Sequence, residues 1–167
     1  VSDAQKAAFK TYCNLSDTYN SILTESEKPN SGIPFDGLVV EVYNIDYLDK
    51  SDKNNFSAVV ILQLGKAKVV VCGDNTIESL TELMKNDNFK EKVKDSYVLV
   101  APHHGRESGY YKEFVELVNP YLTIISDTSF GSTSVTDKYS CITRGWNVYN
   151  RNTNESEQRK CISTRND

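Results

Sequence analysis

The chain has 167 residues, 38% of them hydrophobic and 25% charged, with a formal charge of −4. That length suffices for one domain with a sizeable core, and the acidic balance excludes a protein that coats nucleic acid through bulk charge alone. No apolar run approaches the ~18 residues of a membrane helix, Val1 to Lys6 carry no apolar signal core, and the four cysteines, Cys13, Cys72, Cys141 and Cys161, form no CxxC pair, all of which predicts a cytoplasmic protein with reduced thiols and no membrane partner.

Residues 3–23 are predicted to form an amphipathic helix. Ala8, Tyr12, Leu15, Tyr19 and Ile22 recur at spacings of four and three and make one apolar stripe. Ser2 or Asp3 is its candidate cap. Residues 24–37 are polar and marked by Pro and Gly, so they read as a connection. Residues 38–45 read as a strand and 46–55 as a charged loop. Residues 56–64 and 67–72 read as two strands joined by Gly65-Lys66, a two-residue hairpin signal. A helix is predicted from Thr76 to Lys85 with Ile77, Leu80, Leu83 and Met84 on its core face, followed by a shorter helical turn carrying Phe89 and Val93.

A strand over 97–101 then runs into a loop that holds both histidines of the chain. Residues 110–118 read as a helix stopped by Asn119-Pro120, 121–126 as a strand, and 133–143 as a helix ended by Gly145. Residues 146–149 and 161–164 read as short strands around a polar loop, 150–159. Strands alternating with helices imply an α/β fold with a mostly parallel sheet and at least one helix layer.

The positions with chemical potential sit at strand ends, where α/β proteins place ligands. Asp74 follows an apolar run and a glycine. A carboxylate there can bridge two divalent ions, although Asp just ahead of a helix is more often its N-cap. His103-His104 follow the run Tyr97 to Pro102. Neighbours in an extended segment point opposite ways, so one of the two would face a metal. Asn55 or Ser57 opens the strand whose hairpin partner ends at Asp74, which brings them towards the same edge. Asn54 reads better as turn chemistry. Cys72, inside an apolar strand, reads as a core thiol rather than a nucleophile. Lys66 and Lys68 read as solvated hairpin charges. Tyr110 and Tyr111 offer rings for stacking on a base, with helix packing the better reading for at least one.

These residues, in this order, resemble the C-terminal half of a metallo-β-lactamase-fold hydrolase, closest to the ComEC-type branch. The resemblance rests on Asn54 and Ser57 as an Asn-x-x-Ser segment, on Gly73-Asp74, on His103-His104-Gly105, and on Pro120 followed by a strand ending in Ser126. The tail from Lys160 to Asp167 resembles the family's closing strand. The resemblance implies half of an αββα sandwich, a mixed sheet with helices on its outer face. Residues 38–167 would form that half, and residues 1–37 an N-terminal helix and linker. It implies two divalent ions, zinc or manganese, with Asp74 as the bridging ligand and His103 as the terminal ligand. His104 would be an alternative ligand or a contact to phosphate, and Asn55 and Ser57 would orient substrate.

The chain also departs from the family. The motif His-x-(His/Asp)-x-Asp-His is absent, and Arg106 stands where a serine usually follows His-His-Gly. The missing motif belongs to the N-terminal half, so the chain reads as the C-terminal piece of a larger enzyme, inactive or nearly so alone. The expected function is part of a metal-dependent hydrolase acting on phosphodiesters of nucleic acid or nucleotides. Its partner would be the missing half, in the same precursor or on a second polypeptide. The alternative is a non-catalytic binding or regulatory module derived from that fold.

Overall fold

The computed structural model describes residues 6, 7, 10, 11, 14, 36–45, 52–127 and 134–164. Lys6, Ala7, Lys10, Thr11 and Asn14 are helical and exposed, as the polar side of the predicted first helix should be. The apolar stripe, the candidate caps Ser2 and Asp3, and residues 24–35 lie outside the described residues.

The rest is an α/β arrangement built on a six-stranded mixed sheet, with helices and a separate two-stranded hairpin. The strands are β1 (Leu38–Tyr43), β2 (Val59–Leu64), β3 (Ala67–Val71), β4 (Val98–Val100), β5 (Leu122–Ile125) and, last in the chain, β8 (Cys161–Ser163). They lie in the order β1-β2-β3-β4-β5-β8. The first three pair antiparallel and the remaining neighbours parallel. Helices α1 (Ile77–Leu83), α2 (Asp87–Val93), α3 (Lys112–Val118) and α4 (Thr136–Ile142) fill the crossovers.

The hairpin is β6 (Trp146–Asn150) with β7 (Glu155–Arg159), which corrects the expected loop over 150–159. Residues 155–159 contain no apolar side chain, so no alternation marks them. Their pairing comes from the register Trp146↔Arg159 to Asn150↔Glu155. The helix predicted over 110–118 also starts later, because Tyr110 and Tyr111 stay extended.

The two faces of the sheet differ. Register places Ile61, Val70, Leu99 and Thr123 side by side. These are buried, and Ile61, Val70 and Leu99 join one cluster with Leu80, Phe89, Phe114, Val118 and Tyr139 from the four helices. Cys72 and Ile125 belong to it too. The opposite face carries Val40 and Val42, Val60 and Leu62, Val69 and Val71, Val98 and Val100, Leu122 and Ile124, then Ile162. Every one is aliphatic, none belongs to that cluster, and all but Leu122 remain partly exposed. Uninterrupted apolar runs in central strands are the pattern of a sheet covered on both faces. Among the described residues, one face is covered.

No helix among the described residues is long and apolar enough to cross a membrane. Cys72, Cys141 and Cys161 are free thiols. Burial pushes the Cys72 thiol well above its ordinary value, so it stays protonated in the core and does not serve as a nucleophile. Lys68 departs from its expected role as a solvated charge. It is half-buried, with Nζ donating to the Lys94 carbonyl at 2.7 Å, and desolvation lowers its pKa.

Candidate metal centre

β3 and β4 are parallel neighbours, so the turns that leave them share one edge of the sheet. The turn after β3 contains Gly73 at φ +56, where an added Cβ would stand 3.2 Å from Ser57 Cβ. That close approach lets Ser57 Oγ accept a hydrogen bond from the Asp74 N–H at 3.2 Å. Asn75 follows, fully buried, and its Nδ2 donates to the carbonyls of Ser57 at 2.9 Å and Cys72 at 2.6 Å. Thr76 is the N-cap of α1, and its N–H donates to Ser79 Oγ at 3.1 Å. Asp74 is therefore not the helix cap. Its carboxylate is left for another use.

Asn55 reaches the same turn by a different route. It is 1% exposed. Its Nδ2 donates to Glu78 Oε2 at 2.8 Å, and its Oδ1 accepts from Thr76 Oγ1. Both ends of its amide hold the start of α1. Ser57 thus touches Asp74 directly, whereas Asn55 fastens the helix behind it.

The histidine segment is not extended, contrary to expectation. His103 (φ 47°, ψ 48°) and His104 (φ 57°, ψ 28°) both adopt left-handed backbone, and Gly105 follows at φ +68. Each such conformation costs a residue with a side chain roughly 1–2 kcal/mol, and it persists where the surroundings over-determine it. Here the His103 N–H donates to the Gly73 carbonyl at 2.9 Å, the Arg106 N–H to the His103 carbonyl at 3.1 Å, and the Val135 N–H to the Gly105 carbonyl at 2.8 Å. Gly109 closes the loop. A Cβ there would fall 2.7 Å from the Pro102 carbonyl oxygen and 2.9 Å from His103 Cβ.

In consequence the two imidazoles lie 6.4 Å apart, inclined at 53°. His104 is the one that meets Asp74, with Nε2 at 3.3 Å from Oδ1. Its Nδ1 is 2.7 Å from the Ser126 carbonyl. A carbonyl only accepts, so Nδ1 carries a hydrogen, and Nε2 meets the carboxylate either through a second N–H or through its lone pair. Two acceptors facing one another need a proton or a cation between them. His103 is held differently, its Nδ1 lying 2.8 Å from Ser108 Oγ.

A divalent ion fits this pair. Donors about 2.1 Å from a tetrahedral ion stand about 3.4 Å apart, close to the observed 3.3 Å. A ligating histidine that anchors its other nitrogen on a carbonyl is the usual supporting arrangement. The side chains of His104 and Asp74 are 41% and 47% exposed, so a ligand has access. Two donors are still fewer than a catalytic ion needs, and the described residues contain no group of three or more His, Cys, Asp or Glu with metal-binding geometry. Tyr110 and Tyr111 flank the loop, both partly buried against the core. Tyr110 also packs edge-on to Tyr139 at 5.0 Å.

Neither a protein-family model nor a curated protein matches the chain.

Proposed function

We propose that this chain is the C-terminal half of an αββα sandwich of the metallo-β-lactamase kind and supplies Asp74 and His104 to a divalent-metal centre completed by a second half. The observation that carries the reading is the juxtaposition of the Asp74 carboxylate with His104 Nε2 at 3.3 Å, at the ends of two adjacent parallel strands. The second sheet face, aliphatic on all six strands and outside the helix-covered core, supports a partner sheet, since sheets pack through such faces about 10 Å apart. That partner brings the remaining ligands.

Zinc or manganese bound there would act as a Lewis acid and acidify water for hydrolysis. The chain's own residues prepare the site. Ser57 fixes the backbone of Asp74, Ser126 sets the tautomer of His104, and Asn55 with Thr76 anchors α1 beneath them. His103, with Nε2 unpartnered among the described residues, is placed for a second ion or a substrate oxygen. The exposed Arg106 adds positive charge beside the loop. Cation chemistry at this edge suits an anionic ester, and a phosphodiester of nucleic acid or a nucleotide is the leading substrate.

The absence of a three-donor group among the described residues favours one other reading, a binding or regulatory module that has lost the catalytic ions. Native mass spectrometry of the protein purified without chelator separates the two. A complex with a second polypeptide and about two divalent ions, whose metal is lost on Asp74→Ala, is the expected result. A lone 18.8 kDa species that takes up no divalent ion even when Zn²⁺ or Mn²⁺ is added would overturn the hydrolase reading in favour of the module.

A further inference from the structure

The edge of the sheet opposite Asp74 and His104 carries a second cluster. Tyr97 and Tyr121 each stand one residue ahead of a parallel strand, β4 and β5, so both rings emerge at that edge. Trp146, the first residue of β6, meets both, with centroids 5.8 Å and 6.1 Å away, and the two tyrosines are 5.3 Å apart. The rings do not bury one another, since Trp146 is 40% and Tyr121 37% exposed. Asn147 and Gln158, cross-strand partners in the hairpin, line the same cavity of about 390 Å³.

One cation touches the rings, and others lie on the adjoining segments. The Arg144 guanidinium lies 3.4 Å from the Tyr121 ring centre. The Tyr97 N–H donates to the Lys68 carbonyl at 2.8 Å, and Lys68 in turn reaches the backbone of Lys94. Arg159 is the cross-strand partner of Trp146, and Lys160 follows it. Lys94 and Lys160 are exposed. Interspersed with these cations are the acids Asp95, which accepts from Asn119, Glu157, which pairs with Arg159, and Glu41 and Glu91, which lie close enough to act on Lys68. In a chain of net charge −4, the exposed Lys94 and Lys160 and the Arg144 guanidinium are what this edge offers a polyanion.

We propose that this edge is a platform for single-stranded nucleic acid. Exposed rings beside a guanidinium and two exposed lysines suit a polyanion that carries planar bases, since the rings stack and the cations follow the backbone. A neutral sugar would use the rings and carboxamides and leave the cations idle, and a simple polyphosphate would use the cations alone. Tyr97 and Ala101 bracket β4, which sets the platform about 13–16 Å from the histidine loop. The inference needs no metal and stands if Asp74 and His104 bind none. Where the hydrolase reading holds, it makes the platform a holding site for the substrate strand.

Trp146 is the only tryptophan, so its fluorescence reports stacking directly. The chain is titrated, in chelator and low salt, with single-stranded DNA of about 12 nucleotides. Parallel titrations use an abasic strand of equal length, polyphosphate and a neutral oligosaccharide. The expected result is quenching by the base-bearing strand, which binds about tenfold more tightly than the abasic one. Tyr121→Ala should remove about that tenfold. The double substitution Lys94→Glu and Lys160→Glu, confined to exposed side chains, should weaken binding and flatten its salt dependence while the rings still quench at saturation. Equal affinity for the abasic strand or polyphosphate, quenching by the oligosaccharide instead of DNA, or no binding at all would each overturn the proposal.

Discussion

Phe89→Ala is expected to cost about 3–5 kcal/mol, the usual price of truncating a buried phenylalanine. Phe89 is fully buried and sits where three elements meet. Its ring stacks on Phe114 of α3 at 6.1 Å and 8°, and meets Tyr43 of β1 edge-on at 5.2 Å. Truncation removes both contacts and leaves a cavity between α2, α3 and the sheet. Small domains hold only about 5–15 kcal/mol in total, so the variant should unfold at a much lower urea concentration with little change in slope. Phe89→Leu keeps most of the volume and should lose roughly half as much. A Phe89→Ala loss below about 1 kcal/mol would mean that α2 is not seated as described, because so small a loss is typical of exposed positions.

Gly109→Ala is the second large effect, and it acts on the site. The added Cβ would meet a backbone oxygen, that of Pro102, at 2.7 Å, and backbone cannot rotate aside as a side chain can. Overpacking of this kind costs about 1–3 kcal/mol. Relief requires movement of the Pro102–Gly105 turn, which is already strained at His103 and His104. The expected result is a stable but altered loop, with the two imidazole signals of the protein shifted in NMR spectra and the Ser126 tie of His104 weakened. Gly65→Ala is the control for the loss of a glycine, because Gly65 has nothing within 4 Å of an added Cβ. It should leave both imidazoles unmoved. Unchanged histidine signals in Gly109→Ala would contradict the role of that close approach.

The elements most legible in the sequence are those with strong apolar runs and clear punctuation. β2 and β3 follow from their aliphatic runs around Gly65-Lys66, and β4 and β5 from runs ended by Pro102 and Ser126. The shared edge of Asp74 and the histidine pair follows from a single crossover between parallel strands. Three features were not legible, each for a physical reason. β7 is polar on both faces, so only its partner strand reveals it. The left-handed backbone at His103 is held by the Gly73 carbonyl and the His104 ring is aimed by the Ser126 carbonyl, both distant in sequence, and so the choice between the two histidines could not be read locally. The platform of Tyr97, Tyr121 and Trp146 assembles from three segments that form no motif in the chain. The aliphatic second face was visible as unbroken valine-rich runs, but which of its two sides the helices take is decided by packing.

The central claim, that Asp74 and His104 share a divalent ion, is tested most directly by titrating the chain with Zn²⁺ or Mn²⁺ while observing its imidazoles by NMR. With two histidines in the sequence, assignment needs only His103→Gln. Zn²⁺ should shift the His104 Nε2 resonance, and Mn²⁺ should broaden it together with the Asp74 amide. The affinity should be weak, as two protein donors allow, and Asp74→Ala should abolish the response. Equal effects on both histidines, or a response that survives Asp74→Ala, would contradict the account.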